Sequence, residues 1–300
     1  MKSASEQGFT IIELIISTGV LLLVLSAGLS FFSRGQVIYT NERVTLDMVQ
    51  DLRTVFDRFT NEIRMAGAGL PAPRGVIDGS STSLIVRGDF NEIATIITST
   101  GSIVVSGSTT TFPVGTTSGF QSGQTVSLLN NKTGASILVT VASNGVNTTD
   151  KTLTLDTSDL LPLTSGADIT DFPAGSIINV IERRTYKIIT TGDNKGAITR
   201  TVSYESTNTL PGAVIQAEEI IARNVLDTNG NPGLTFTYFK ADGTSALDAA
   251  LNLNPSEAVK VKIDLKARSA NMDLQTKTYR TFAYTALVQI RGQYVPSVGF

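Results

Sequence analysis

The 300-residue chain contains no cysteine, no histidine and no tryptophan. Without cysteine there is no disulfide and no thiolate metal site. Without histidine the commonest general base and the commonest metal ligand are missing, and a Ser-His-Asp triad is excluded. An enzyme would have to work through a Ser-Lys pair or paired carboxylates. The adjacent Glu218 and Glu219 point apart on a helix or a strand and make no dyad. No phosphate loop or nucleophile elbow occurs. Charged residues make up only 17% and the net charge is −2, so nothing draws the chain as a whole toward nucleic acid or anionic lipid. Proline is absent before Pro71, which leaves the preceding sequence free to form uninterrupted helix.

What is present begins at the N-terminus. After the polar stretch Lys2-Ser3-Ala4-Ser5-Glu6-Gln7-Gly8 the chain turns apolar, and from Phe9 to Ser33 the only ionisable side chain is Glu13. A helix of roughly 20 apolar residues spans a bilayer, so this run is long enough. A secretory signal peptide has a shorter apolar region, although Ser26-Ala27-Gly28 is a weak match to a small-residue cleavage site of that kind. A plain membrane anchor explains the length but not a carboxylate inside the span.

Gly8-Phe9-Thr10-Ile11-Ile12-Glu13 resembles the processing site of type IV pilins and of the pseudopilins of type II secretion. The resemblance implies cleavage after Gly8 by a prepilin peptidase and N-methylation of the new terminus, Phe9. It also implies an assembly role for Glu13, the glutamate at the fifth place of the mature chain. Lys2 suits the cytoplasmic end of such a leader.

After Phe32 the rhythm stays helical. Val44, Met48, Leu52, Val55, Phe59 and Ile63 recur at steps of three and four, and Asn41, Glu42, Arg43, Asp47, Asp51, Arg53, Asp57, Arg58, Glu62 and Arg64 occupy the other faces. One helix is predicted from Phe9 to about Met65, its lower half buried against a head and its end set by Ala66-Gly67-Ala68-Gly69-Leu70-Pro71. Gly19, Gly28 and Gly35 read either as small residues for helix packing or as points where the helix can give.

From Gly75 onward the chain reads as β-structure. Predicted strands are Ser83–Arg87, Ile93–Thr98, Thr125–Leu129, Ile137–Ala142, Thr152–Leu155, Ser176–Ile181, Thr185–Thr190 and Ala197–Glu205. Leu234–Tyr238 and two strongly alternating runs, Val259–Ala267 and Phe282–Ile290, complete the set. Residues 90–180, low in charge and rich in turn formers such as Gly107-Ser108-Thr109-Thr110-Thr111, read as an insertion with a barrel or sandwich of its own.

The fold class is therefore α+β, a long N-terminal helix packed on an antiparallel sheet. The chain divides into a leader at 1–8, a membrane-spanning helical part at 9–33, an amphipathic part at 34–66 and a β-rich head at 75–300 with 90–180 inserted. The order of the segments Asp51–Gly69, Thr185–Ile188, Ala197–Arg200, Leu234–Tyr238 and Val259–Leu265 is similar to that of PilW-type minor pilins and J-type minor pseudopilins. That resemblance implies a structural subunit in filament initiation, anchored in a bacterial inner membrane with its head in the periplasm. Its partners would be other pilin or pseudopilin subunits, the prepilin peptidase, the assembly platform and the lipid bilayer. The 90–180 insertion leaves a tip adhesin open.

Two further features qualify as sites. Asp227, Asn229 and Asn231 alternate as calcium ligands would, but the loop lacks the glycine and distal glutamate of an EF-hand and also reads as a turn. Lys260, Lys262, Lys266 and Arg268 form a basic strand face without interleaved aromatics, which reads as a solvated face rather than a nucleic-acid site. Asp193-Asn194-Lys195-Gly196 and Asp242-Gly243 read as hairpin turns. No cofactor is called for.

Overall fold

The computed structural model describes residues 10–70, 75–99, 101, 103–205, 214–227, 229–246, 258–269, 272 and 277–290. Gly8 and Phe9, on which the predicted cleavage falls, lie outside them. The architecture is α+β: one N-terminal helix followed by antiparallel sheets. Two compact units divide the chain, 1–50 with 269–280, and 51–268 with 281–300.

Helix α1 runs unbroken from Ile11 to Met65. Its end follows from local chemistry. Ala66 N–H falls back to Ile63 O (3.2 Å), and Gly67 and Gly69 adopt left-handed φ values of 88° and 72° that side chains resist. In the first unit, the helical side chains of Ile11, Leu14, Leu23, Phe31 and Tyr39 are all exposed. Ser17 and Ser33 return their hydroxyls to backbone carbonyls one turn back, so these groups need no water.

In the second unit, full burial on the helix begins at Leu52 and continues through Val55, Phe59, Glu62 and Ile63. Burial thus covers only the end of the predicted stripe: Val44 and Met48 are half-buried and Leu46 is exposed. A second correction concerns Glu62, assigned above to the polar faces, which lies on the buried one.

The head has a five-stranded sheet in the order β1-β2-β10-β11-β12, made of Val76–Ser80, Ser83–Gly88, Glu182–Ile188, Ile198–Tyr204 and Val214–Ala222. A three-stranded sheet joins β13 (Leu234–Phe239), β14 (Lys260–Arg268) and β15 (Thr281–Gln289). Phe59 packs edge-on to Tyr186 of β10 (centroids 4.6 Å apart) and against Phe236 of β13 (6.0 Å), so one helical side chain joins both sheets. On β14 the alternation holds fully: Val261, Ile263, Leu265 and Ala267 are buried and the basic residues face the other way.

Between β2 and β10, within the second unit, the chain makes a third sheet from β3 (Ala94–Ile96), β4 (Val104–Ser106), β5 (Thr109–Pro113), β6 (Thr125–Leu129), β7 (Ser136–Asn147), β8 (Thr152–Pro162) and β9 (Ile177–Val180). Their order is β3-β9-β6-β7-β8-β5-β4. An antiparallel bridge, Ile97↔Val114, joins the chain after β3 to the chain after β5, so six strands close into a barrel and β4 extends as a flap. Phe112, Val126, Leu128, Val139, Leu153 and Phe172 fill it. Thr109-Thr110-Thr111, taken above as turn residues, are strand: threonine suits a pleated edge, and the turn is confined to Gly107-Ser108. Strand β7 is longer than predicted because a bulge at Asn144, with φ of 57°, re-aims the chain instead of ending it, and β8 continues to Pro162 through a second register shift, opposite Leu138 and Thr140.

Phe59→Ala removes the ring shared by both sheets and should lower unfolding free energy by roughly 3–5 kcal/mol. Leu46→Ala, on an exposed side chain, should leave it within about 0.5 kcal/mol of wild type. Chemical denaturation of the two variants checks both.

Candidate functional site

The helix start is built by two residues. Thr10 precedes the first turn, and Glu13 Oε2 accepts from both Thr10 N–H (3.0 Å) and Thr10 Oγ1 (3.0 Å). Glu13 N–H points back at Thr10 Oγ1 (3.4 Å). This is a reciprocal capping box, in which the side chains satisfy donors that a helix start leaves open. The spacing Thr-x-x-Glu was its signal in the sequence. Both side-chain bonds converge on Oε2, and no bond from a described residue reaches Oε1. α1 is also the one candidate membrane span found among the described residues: it is long and apolar enough, and its apolar window is unburied.

Gly19, Gly28 and Gly35 lie within this unbroken helix, and a methyl group at any of them would meet nothing within 4 Å. The chain by itself therefore does not require glycine at these places.

The residue that pattern reading missed is Glu62. Leu52, Val55, Phe59, Glu62 and Ala66 follow steps of 3, 4, 3 and 4, so its place in the stripe was legible, and its charge diverted the assignment. The residue is 6% exposed. Oε1 meets Arg184 Nη1 at 2.7 Å, Arg200 Nη2 at 3.3 Å and Arg58 Nε at 3.4 Å. Oε2 accepts from the Tyr186 hydroxyl. Antiparallel pairing sets Tyr186 directly opposite Arg200, which is why β10 and β11 deliver both groups to one point. The outer ring is acidic: Glu182 holds Arg184 (3.0 Å), and Glu219 holds Arg200 (3.4 Å) and Arg58 (3.7 Å). Glu219 thus pairs with arginines, while its neighbour Glu218 is exposed.

Beside the helix end lies a cleft of about 760 Å³ bordered by Asn61, Arg64, Gly67, Asp89 and Glu92. Burial pushes the Asp89 carboxyl up to about 6, and the charges of Glu182 and Glu92 add to this, while the Ile93 and Glu92 amides oppose it.

The calcium candidate folds as a turn. Asp227 Oδ1 accepts from the amides of Asn229 (2.9 Å) and Asn231 (2.8 Å), and Asn231 Nδ2 reaches Oδ2 (3.3 Å). The carboxylate is engaged within its own loop, and the Asn231 amide holds its pKa below the usual range. Among the described residues no group of three or more acidic side chains could hold a metal ion. On the basic face of β14, Lys262 pairs with Asp264 at 2.8 Å. The two predicted hairpin turns close with Gly196 and Gly243 at φ of 79° and 85°.

Comparison with protein-family models, with curated proteins and with solved structures gives no match.

Two outcomes follow. Glu62→Ala leaves Arg184 and Arg200 buried without their shared anion, and should destabilise the fold by roughly 3–5 kcal/mol in denaturant titration. Asp89 holds its proton to about pH 6 in the fold, against an ordinary value of 3.8. The folded state therefore binds more protons across that window, and stability falls as pH rises through it. Asp89→Asn should melt higher than wild type at pH 7, with the gap closing by about pH 4; a constant gap in thermal melts would contradict this.

Proposed function

We propose that this chain is a minor type IV pilin of the PilW-like kind, a structural subunit in filament initiation rather than an enzyme. The observation that carries the reading is one coincidence. Gly8 and Phe9 stand immediately before the apolar helix, and Glu13 lies inside its first turn. On this reading the precursor is inserted in a bacterial inner membrane with its head in the periplasm, cut after Gly8 and methylated at Phe9. The remaining oxygen of Glu13 then meets the Phe9 amine of a neighbouring subunit. A lone ammonium and a lone carboxylate are each costly in an apolar core, and pairing relieves both. The α+β architecture supports the class. It supports a minor pseudopilin of type II secretion equally well.

A second reading has its own observation. The barrel encloses a complete apolar core between two strands that pair with each other, as a displayed binding module would.

The test is the mass of the membrane-bound mature protein. Loss of residues 1–8 with one methyl on Phe9 is expected; an N-terminus at Gly28 or Leu29 would indicate ordinary signal-peptide cleavage and overturn the reading. Glu13→Gln should leave insertion, cleavage and head melting unchanged while cross-linking to other pilins and filament number fall.

A further inference from the structure

The three-stranded sheet ends in an edge unlike the others. β15 pairs with β14 along an unbroken register from Lys260↔Gln289 to Arg268↔Thr281, and no described strand lies on its other side. In an antiparallel ladder, residues alternate between those that exchange both backbone bonds with the partner and those that turn them away. Ile290 N donates to Val259 O at 3.1 Å, which fixes the phase. Residues 288, 286, 284 and 282 therefore face β14, and the N–H and C=O groups of Thr281, Ala283, Thr285, Leu287 and Gln289 point outward. No backbone bond from these five to any other described residue is found.

Sheet edges are normally blunted by charge, proline, bulges or brevity. The outer strand β12 has such devices: it carries Glu218 and Glu219, and its register against β11 shifts at three places. β15 has none of them. It is nine residues long, regular, and reads Thr-Phe-Ala-Tyr-Thr-Ala-Leu-Val-Gln without a charge or a proline.

We propose that β15 is a self-association edge, on which a second copy of this chain lays its own β15 antiparallel about a two-fold axis through Thr285. Two three-stranded sheets become one of six. The sequence of the strand argues for a second copy in particular. In that register Thr281 faces Gln289 of the other copy, Ala283 faces Leu287, Phe282 faces Val288, Tyr284 faces Ala286, and Thr285 faces itself. Each large side chain meets a smaller one, polar meets polar, and no like charges oppose. The phase agrees as well, because the outward-bonding residues of one copy meet the outward-bonding residues of the other. The proposal is independent of the filament reading.

The chain lacks cysteine, so introduced thiols are unique. In the full-length protein, purified in detergent and mildly oxidised, Thr285→Cys should give a covalent homodimer, since facing Cα atoms in such a pair lie about 5.5 Å apart. Ala283→Cys and Leu287→Cys should each stay monomeric, because like positions then stand four residues out of register, about 13 Å. The two combined should again dimerise, which tests the same register without touching Thr285. Adding Thr285→Lys to that pair sets two ammonium groups face to face and should cut the dimer severalfold. No dimer from either Thr285→Cys or the double variant overturns the proposal. So does equal dimer from every single variant, which marks random collision, or an adduct to a different protein, which marks another occupant of the edge.

Discussion

Glu62 places a carboxylate almost out of water at the point where the helix meets the five-stranded sheet, and the second unit is organised around keeping it paired. Three guanidinium groups, from Arg58, Arg184 and Arg200, and three carboxylates, from Glu62, Glu182 and Glu219, form one charge-balanced cluster. Desolvation offsets most of the attraction in such a cluster, so its net contribution to stability is small. Its consequence is directional. The apolar stripe Leu52–Val55–Phe59 would accept a helix slid by one turn, because hydrophobic contact has little orientation. Glu62 would not, since any slip strands a buried anion and two arginines.

The same separation of roles recurs in the sheets. Apolar faces supply burial, with β14 presenting an unbroken row to the core, while pairing and turns set position. The barrel resolves its edges by closing through Ile97↔Val114. The five-stranded sheet places charge and irregular register on its outer strand, β12. The sheet formed by β13, β14 and β15 uses neither device.

Much of this was legible in the chain itself. The helix, its end at the glycine run and the strands with strict alternation follow from periods of 3.6 and 2, which need no tertiary information. Most of the shorter strands were found within a few residues. What escaped depends on partners, near or distant in sequence, rather than on a segment's own pattern. β1, β4, β5 and β12 are weakly patterned, and they are strands because a neighbour's backbone fixes them. Glu62 was misplaced because charge outweighed spacing, and most of the partners that make its burial tolerable, Arg184, Tyr186 and Arg200, are more than a hundred residues away. At the candidate site, Glu13 was recognised from its motif, whereas its bond to Thr10 is a matter of helix-start geometry that the same few residues already contained.

The barrel enters and leaves the head at Gly88 and Glu182, which are direct cross-strand partners on β2 and β10. This has a mechanical consequence. A pull transmitted along α1 loads the ion pairs and ring contacts that hold the helix base to β10, β11 and β13. The barrel's two ends are tied to adjacent strands of one sheet, so the covalent path from α1 into β10 does not have to stretch the barrel from end to end, although Asn179 and Leu138 also hold it to Gly69 and Leu70 at the helix end. Stress in the helix–sheet joint is therefore carried first by its ion pairs and ring contacts, before it reaches the barrel strands.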